Sequence, residues 1–381
     1  MLRILHLIDS SGMYGAEIML LNLMIEQKNM GMLPILLSIG SENENDKQIE
    51  KESIKNGIEV KKIQMEIKLN LFVKIKHLKR IIDIIDADIV HSHGYKGNIL
   101  LGIISFIMNN MPIVCTLHGW TATKKFTKIW FYEKLDQLIV RRFDAMVLVT
   151  SGKYGERSKI QFSDQKRNLK IYKIENGIPE LSFDSEINEL QSLFKKKAFY
   201  IGAIGRLSSE KGFEYLIDAM ALLMNESNEY SAIIFGDGKL RNKLESKARK
   251  LSIEENIIFA GYKEKAYLYM KHFDVLVMPS ITEGMPITLL EAMQAGLPVV
   301  ASKVGGIPTI ISDYSNGLLV DPRNPVELAK QISFLKNNPQ KAYEIGKNAR
   351  STVLKKFTSC KMTKLYNRVY YKVINSRERY H

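Results

Sequence analysis

The feature that most constrains this chain is an alternation. Short β-branched runs recur at Ile4–Ile8, Ile35–Ile39, Ile58–Ile63, Ile89–Ser92, Ile113–Leu117, Met146–Thr150 and Lys170–Ile174. They return at Phe199–Ile204, Ala232–Phe235, Ile257–Ala260, Val275–Met278 and Val299–Ala301. Between several of them lie helical patterns such as Glu17–Met30 and Leu69–Ile85. Apolar runs of this length, alternating with helices, predict parallel strands joined by right-handed βαβ crossovers. Their spacing is too irregular for a solenoid. The polar stretch Glu180–Lys197 breaks the rhythm and reads as a linker with a short helix. The expected fold is therefore α/β, with two doubly wound domains at 1–180 and 198–360, a linker at 181–197 and a C-terminal helix over 361–381 that crosses back to the first domain. Such sheets take ligands beyond the C-terminal ends of their strands, here at a cleft between the domains.

Composition narrows the class. At 381 residues and 45% apolar, the chain can fill two cores and is neither disordered nor collagen-like. Its two cysteines, Cys115 and Cys360, form no CxxC pattern, which points to a reducing compartment and gives no thiolate metal site. The opening MLRILHLIDSSG lacks a basic region followed by a long apolar one, so it reads as a first strand and not a signal peptide. The longest apolar stretch, Ile99–Met108, is too short to span a bilayer. A cytoplasmic protein, or one peripheral on a membrane, is expected. The net charge of +14 is spread over both halves and suits phosphate-bearing partners, although most of the lysines are simply solvated surface.

The chemistry-bearing residues sit at strand ends. Ser10 to Glu17 follows the first strand, and Gly12 and Gly15 let the backbone approach an anion at a helix start; a plain tight turn is the alternative. His91 and His93 lie on one face of a strand, a spacing that suits metal, but no third ligand is evident from sequence, and none is expected to be bound. His118 ends the next strand at the same level. In the second half, Gly205-Arg206-Leu207-Ser208-Ser209-Glu210-Lys211-Gly212 precedes a helix whose Phe213, Leu216, Ile217 and Met220 share one face. A guanidinium and an ammonium beside that helix start make a diphosphate clamp; pairing with Glu210 or Glu214 is the alternative. Finally, Glu283 lies in a loop and Glu291 eight residues later, with Pro286 at a helix start and Gly296 at its stop. Two carboxylates about 12 Å apart along a helix are not an acid/base pair on one bond. They suit two parts of one elongated ligand, as acceptors for sugar hydroxyls.

These residues resemble the retaining, GT-B-fold glycosyltransferases of family four. The resemblance rests on GRLSSEKGFEYLIDA, the Gly236-Asp237-Gly238 turn, EGMPITLLEAMQAGLPVVAS with its E-x7-E spacing, and Gly305-Gly306. The N-terminal glycine loop, His118 and Glu175-Asn176-Gly177-Ile178 also fit; the loop departs from the Gly-Gly pair of many members. The resemblance covers nearly the whole chain and is weakest over 40–85. It implies two Rossmann-like domains facing a cleft, with a nucleotide-diphospho-sugar, UDP-sugar favoured, held by the second. Arg206 and Lys211 would neutralise the leaving diphosphate in place of a metal. Glu291 would hold the ribose, and Glu283 with Gly284, Met285 and Pro286 the sugar, with Gly205, Gly236 and Gly238 framing the donor. His118 would approach the anomeric centre from the first domain, while Gly12, Gly15, Glu17 and His93 would line the acceptor side. No cofactor and no metal is expected, and the sugar would pass with retention to a hydroxyl of a glycan or polyprenyl-linked acceptor, as in bacterial surface polysaccharide synthesis.

Two basic stretches bear on the acceptor. Lys68, Lys74, Lys76, Lys79 and Arg80 mark 68–85; Trp120, Phe126, Trp130, Phe131 and Tyr132 lie among cations over 120–143. They predict contact with an anionic membrane surface, against the plainer reading of helices packed apolar side inward. Rival functions are a nucleotide-sugar epimerase of the same fold, which needs no acceptor, and a basic nucleic-acid-binding protein, for which no recognition motif is present. A phosphorylase lacks an identifiable pyridoxal-type lysine, and no GxGxxG follows a strand to suggest a dehydrogenase.

Overall fold

The computed structural model describes residues 1–10, 12–40, 46–64, 71–105, 111–118, 128–149, 169–183, 194 and 198–378. The chain divides into two compact units, 1–179 with 359–381, and 180–358.

The first unit runs β1 (Arg3–Ile8), α1 (Gly15–Asn29), β2 (Leu33–Gly40), α2 (Gln48–Lys55), β3 (Glu59–Gln64), α3 (Leu71–Ile85), β4 (Ile89–His93), α4 (Tyr95–Ile104), β5 (Ile113–Leu117), α5 (Lys128–Ile139), β6 (Ala145–Leu148) and β7 (Lys170–Lys173). The strands form one parallel sheet in the order β3-β2-β1-β4-β5-β6-β7. The order reverses between β1 and β4, the place where doubly wound sheets open a crevice. The central strands read as continuous apolar runs because helices cover both faces. Leu5, Leu7, Leu37, Val90, Cys115 and Met146 share one buried cluster. Burial raises the Cys115 thiol well above its ordinary range, so it packs as an inert apolar group.

The second unit runs β8 (Phe199–Ile204), α6 (Phe213–Glu226), β9 (Tyr230–Phe235), α7 (Arg241–Lys250), β10 (Ile257–Gly261), β11 (Val275–Met278), α8 (Ile287–Gln294), β12 (Val299–Ser302), α9 (Ile307–Ile310), β13 (Leu318–Val320), α10 (Pro325–Asn337) and α11 (Pro339–Lys356). Its parallel sheet is ordered β10-β9-β8-β11-β12-β13, with the same reversal between β8 and β11. The Phe213, Leu216, Ile217, Met220 face of α6 is buried against it. At α8, Pro286 occupies the N-cap and Gly296, at φ +75°, follows the C-cap. Strand β13 escapes the sequence pattern because three residues are too few to show a period.

Residues 180–183 belong to the second unit, where Leu181 N–H donates to Gln294 Oε1 at 2.6 Å. Most of the expected linker, 184–193 and 195–197, lies outside the described residues. The last helix, α12 (Ser359–Glu378), starts two residues before the expected boundary and is part of the first unit. Ser359 N–H donates to Ile178 O at 2.9 Å, and Arg377 forks onto both oxygens of Asp144 at 2.8 and 3.0 Å. Tyr366 and Tyr370 of this helix are fully buried.

Candidate active site

In the second unit, four loops leave the C-terminal ends of β8, β9, β11 and β12 and are stitched backbone to backbone. Gly236 and Gly238 sit at φ +137° and +158°, and a Cβ at either would overlap a carbonyl oxygen, of Gly205 and of Leu207. That close approach lets Leu207 N–H donate to Asp237 O at 2.9 Å. Gly305, at φ +56°, lies against the Glu283 carbonyl, and Gly306 N–H donates to Gly284 O at 2.8 Å. Ile281 N–H donates to Glu210 O at 2.8 Å, which ties the clamp loop to the loop before α8.

Side chains complete the junction. Lys211 Nζ donates to Glu283 Oε1 at 2.6 Å, and Ser280 Oγ donates to the same oxygen at 2.7 Å. The Glu283 side chain is 7% exposed, so its charge is both matched and fixed in direction. Arg206 pairs with Glu210 at 3.0 Å, the alternative that the sequence left open. That pair is half exposed on the arginine side, and such surface pairs hold by at most about 1 kcal/mol, so an incoming phosphate can take the guanidinium over. Burial would raise the Glu210 carboxyl, but the Ser208 hydroxyl, its own backbone N–H and the charges of Arg206 and Lys211 outweigh it and hold it below the usual range.

Glu291 lies on α8 between buried Leu290 and Ala292. Loss of hydration pushes its carboxyl up to about 7. Among the described residues it has no hydrogen-bonding side-chain partner, and Tyr267 is its ionisable neighbour, raised first by burial and then by the Glu291 charge. A carboxylate so placed accepts hydroxyls that arrive with a ligand.

In the first unit, histidines gather where β1, β4 and β5 end. His6 stands opposite His91 in the β1–β4 register, and the rings of His91 and His93 are 4.0 Å apart between centroids. One ligand atom from each of His6, His91 and His93 lies within 4.8 Å of the others. His6 is thus the third histidine that sequence reading did not place; its parity on β1, across from His91, is the signal that would have found it. The ring nitrogens are already engaged. His6 meets His93 and Gln27 at 3.2 and 2.8 Å; His91 meets Tyr370 and Thr116 at 2.6 and 2.8 Å; His93 meets His118 at 3.4 Å. A metal would have to displace these bonds, so the cluster fits a hydrogen-bonded layer better than a cation site. Burial lowers all four rings: His6 and His118 to about 4, His91 and His93 well below the usual histidine value. They are neutral at physiological pH.

The glycine loop is partly self-occupied. Glu17 is buried and accepts from Tyr14 N–H at 3.2 Å, which caps α1. The Ser10 hydroxyl donates to Gly12 O at 2.9 Å, and Gly15 opens α1. Of this loop, then, the acid serves the helix start.

Helix α5 is turned contrary to the plain reading of an apolar side packed inward. Glu133, Asp136 and Gln137 are buried, and Asn98 Nδ2 donates to Asp136 Oδ1 at 2.8 Å. Phe131, Leu135 and Leu138 are exposed, at i, i+4 and i+7, with Lys134 among them and Arg141 and Arg142 just beyond. On α3, Lys76 and Arg80 are exposed beside Val73 and Ile84. Lys68, Trp120, Lys124, Lys125 and Phe126 lie outside the described residues. No described helix is long and apolar enough to cross a membrane.

Known proteins agree with this architecture. The model of the family described as glycosyl transferases group 1 matches residues 184–352, and that of glycosyl transferase 4-like proteins matches 39–151. An uncharacterised glycosyltransferase of Methanocaldococcus jannaschii is 32% identical over 71% of this chain and 72% of its own length. An Escherichia coli UDP-Gal:alpha-D-GlcNAc-diphosphoundecaprenol alpha-1,3-galactosyltransferase is 27% identical over 61% of this chain and 62% of its own. Among solved structures, Anabaena Alr3699/HepE in complex with UDP-glucose superposes with a TM-score of 0.83 at 21% identity, covering 98% of this chain and 100% of that one. With two parallel-sheet Rossmann-like units, a glycine-framed cation and acid junction at strand ends and these relatives, the chain belongs to the group 1, family 4 glycosyltransferases of GT-B fold.

Proposed function

We propose that this glycosyltransferase moves a sugar from a nucleotide-diphospho-sugar, UDP-sugar favoured, to a hydroxyl of a glycan or polyprenyl-linked acceptor, with retention and without a metal. The observation that carries the reading is the Lys211–Glu283 pair, which joins the clamp loop and the E-x7-E loop at one point. In this reading the bond from the anomeric carbon to the diphosphate breaks with the electron pair leaving on the phosphate oxygen. Arg206 and Lys211 stabilise the charge that develops there, in the role other folds give to a divalent ion. Lys211 would then be shared between diphosphate and Glu283, while Glu283, with Gly284, Met285 and Pro286, orients the sugar hydroxyls. Glu291 accepts from the ribose. His118, in the first unit, meets the sugar as a neutral imidazole. The departing phosphate oxygen takes the acceptor proton, so no carboxylate nucleophile is required.

The galactosyltransferase relative, whose name couples UDP-Gal to a diphosphoundecaprenol-linked acceptor, and the UDP-glucose complex of the fold neighbour support the donor and acceptor classes. The outward stripe Phe131, Leu135, Leu138 beside Lys134, Arg141 and Arg142 supports a place against anionic lipid, where such an acceptor is held. A thermal-shift panel of UDP-, GDP- and ADP-sugars tests the donor: UDP-sugars are expected to raise the melting point with saturation, and no shift with any of them would defeat the assignment. Nucleotide release that requires an acceptor separates transfer from epimerisation, and the anomeric configuration of the product tests retention.

A further inference from the structure

Three rings of the histidine layer form a line whose far end settles which way its protons point. His6 Nε2 lies 2.8 Å from Oε1 of Gln27 on α1. A carbonyl oxygen only accepts, so the hydrogen sits on His6 Nε2. Burial keeps His6 neutral near pH 7, which leaves its Nδ1 bare. That nitrogen faces His93 Nε2 at 3.2 Å, so His93 donates to it. His93 is neutral for the same reason, and its bare Nδ1 faces His118 Nε2 at 3.4 Å. The hydrogen of His118 therefore also sits on Nε2, and its Nδ1 is left as an acceptor. His91 takes no part in the line, because Tyr370 and Thr116 occupy both its nitrogens, but its ring packs on the buried ring of His93.

We propose that Gln27, His6 and His93 are positioning residues that hold His118 in a single tautomer, Nε2–H turned to the layer and Nδ1 free to accept a hydroxyl of the transferred sugar. A solvated imidazole divides itself between tautomers, and only one of them offers this acceptor; the hydrogen bond at one ring nitrogen sets the state of the other. The sugar contact rests on the proposed function, whereas the tautomer does not. Gln27 is 21 positions from His6 and His93 is 25 from His118, so the line exists only because α1, β1, β4 and β5 converge.

The test is long-range proton–nitrogen NMR of the full chain labelled with ¹⁵N-histidine at pH 7.5, with His118→Gln assigning the signal. The expected His118 pattern is a protonated Nε2 and a bare Nδ1. Gln27→Met keeps the volume and removes the acceptor, and is expected to replace the single-tautomer pattern by an averaged one. A bare Nε2 in the wild-type protein, or an unchanged His118 pattern in Gln27→Met, overturns the proposal; should that variant fail to fold, the wild-type spectrum decides alone. Full transferase activity in His118→Gln, alongside the expected wild-type spectrum, would remove the sugar contact and leave the tautomer assignment standing.

Discussion

Lys211 donates to Glu283 across 2.6 Å, although 72 positions separate them in the chain. The contact makes one site of two motifs carried by different strand ends, and it makes the lysine answer for two things at once. Lys211→Ala should lower kcat/KM by about 10²–10³, the 2–4 kcal/mol that a preorganised donor contributes to a developing charge. It should also lower the melting point of the second unit, since among the described residues Glu283 would keep only Ser280 as a side-chain donor. Arg206→Ala should match the kinetic loss while leaving the melting point nearly unchanged, because its pair with Glu210 is exposed. Near wild-type turnover in both variants would defeat the clamp.

Glu291 makes the stability of the second unit depend on pH. Its folded carboxyl is raised to about 7 from an ordinary value near 4.5, so between those values the folded chain binds more protons than the unfolded one. Stability from this group is therefore full at low pH and is lost as pH rises through 7. Glu291→Gln should flatten that decline in melting curves taken from pH 4.5 to 8, and should weaken nucleotide binding at pH 8, where the native carboxylate accepts hydroxyls. An unchanged slope in the variant would show that another group is responsible.

The first unit should respond with the opposite sign. Burial depresses His6 and His118 to about 4, so the unfolded chain binds more protons between about pH 6.5 and 4. Their contribution is present above pH 6.5 and disappears as pH falls through 4. Calorimetry should show the transition of the first unit dropping in acid, with proton uptake on unfolding. A transition that holds its temperature down to pH 4 would contradict neutral, buried rings.

Gly305→Ala should disable the donor site without touching a charged residue. The residue sits at φ +56°, and a Cβ would overlap the Glu283 carbonyl oxygen, which is backbone and has nowhere to move. The strain is on the order of 1–3 kcal/mol. A lower melting point together with loss of the UDP-sugar thermal shift is expected; a normal shift would mean that the loop before α8 does not frame the nucleotide.

The exposed stripe of α5 is open to direct measurement. Leu135→Ser with Leu138→Ser should reduce co-sedimentation with anionic vesicles several-fold and leave folding intact, since neither side chain is buried. Unaltered hydrogen exchange over 128–143 on adding those vesicles would argue against the lipid surface.

Much of this was legible in one dimension. Among the described residues, the seven strands of the first unit and five of the six in the second follow from short β-branched runs, and the central ones are the plainest because a strand covered on both faces is apolar throughout. The E-x7-E spacing, the helix stop at Gly296 and the Gly236-Asp237-Gly238 turn are likewise local, since a backbone at positive φ favours glycine, as at Gly236, Gly238 and Gly296. Three things were not. Periodicity shows that a helix has two faces but not which one the sheet receives, so only the structure shows that α5 buries Glu133 and Asp136, against the plainer reading of an apolar side packed inward. The layer of His6, His91, His93 and His118 depends on strand order, which places β1 beside β4 and β4 beside β5. The pairing of Lys211 with Glu283, in preference to the nearer Glu210 or Glu214, depends on loops that meet only when β8 lies against β11. Chain-local chemistry determines which segments form and where they turn; which side chains then share a proton or a charge is decided by long-range strand pairing, a property no window of neighbouring residues contains.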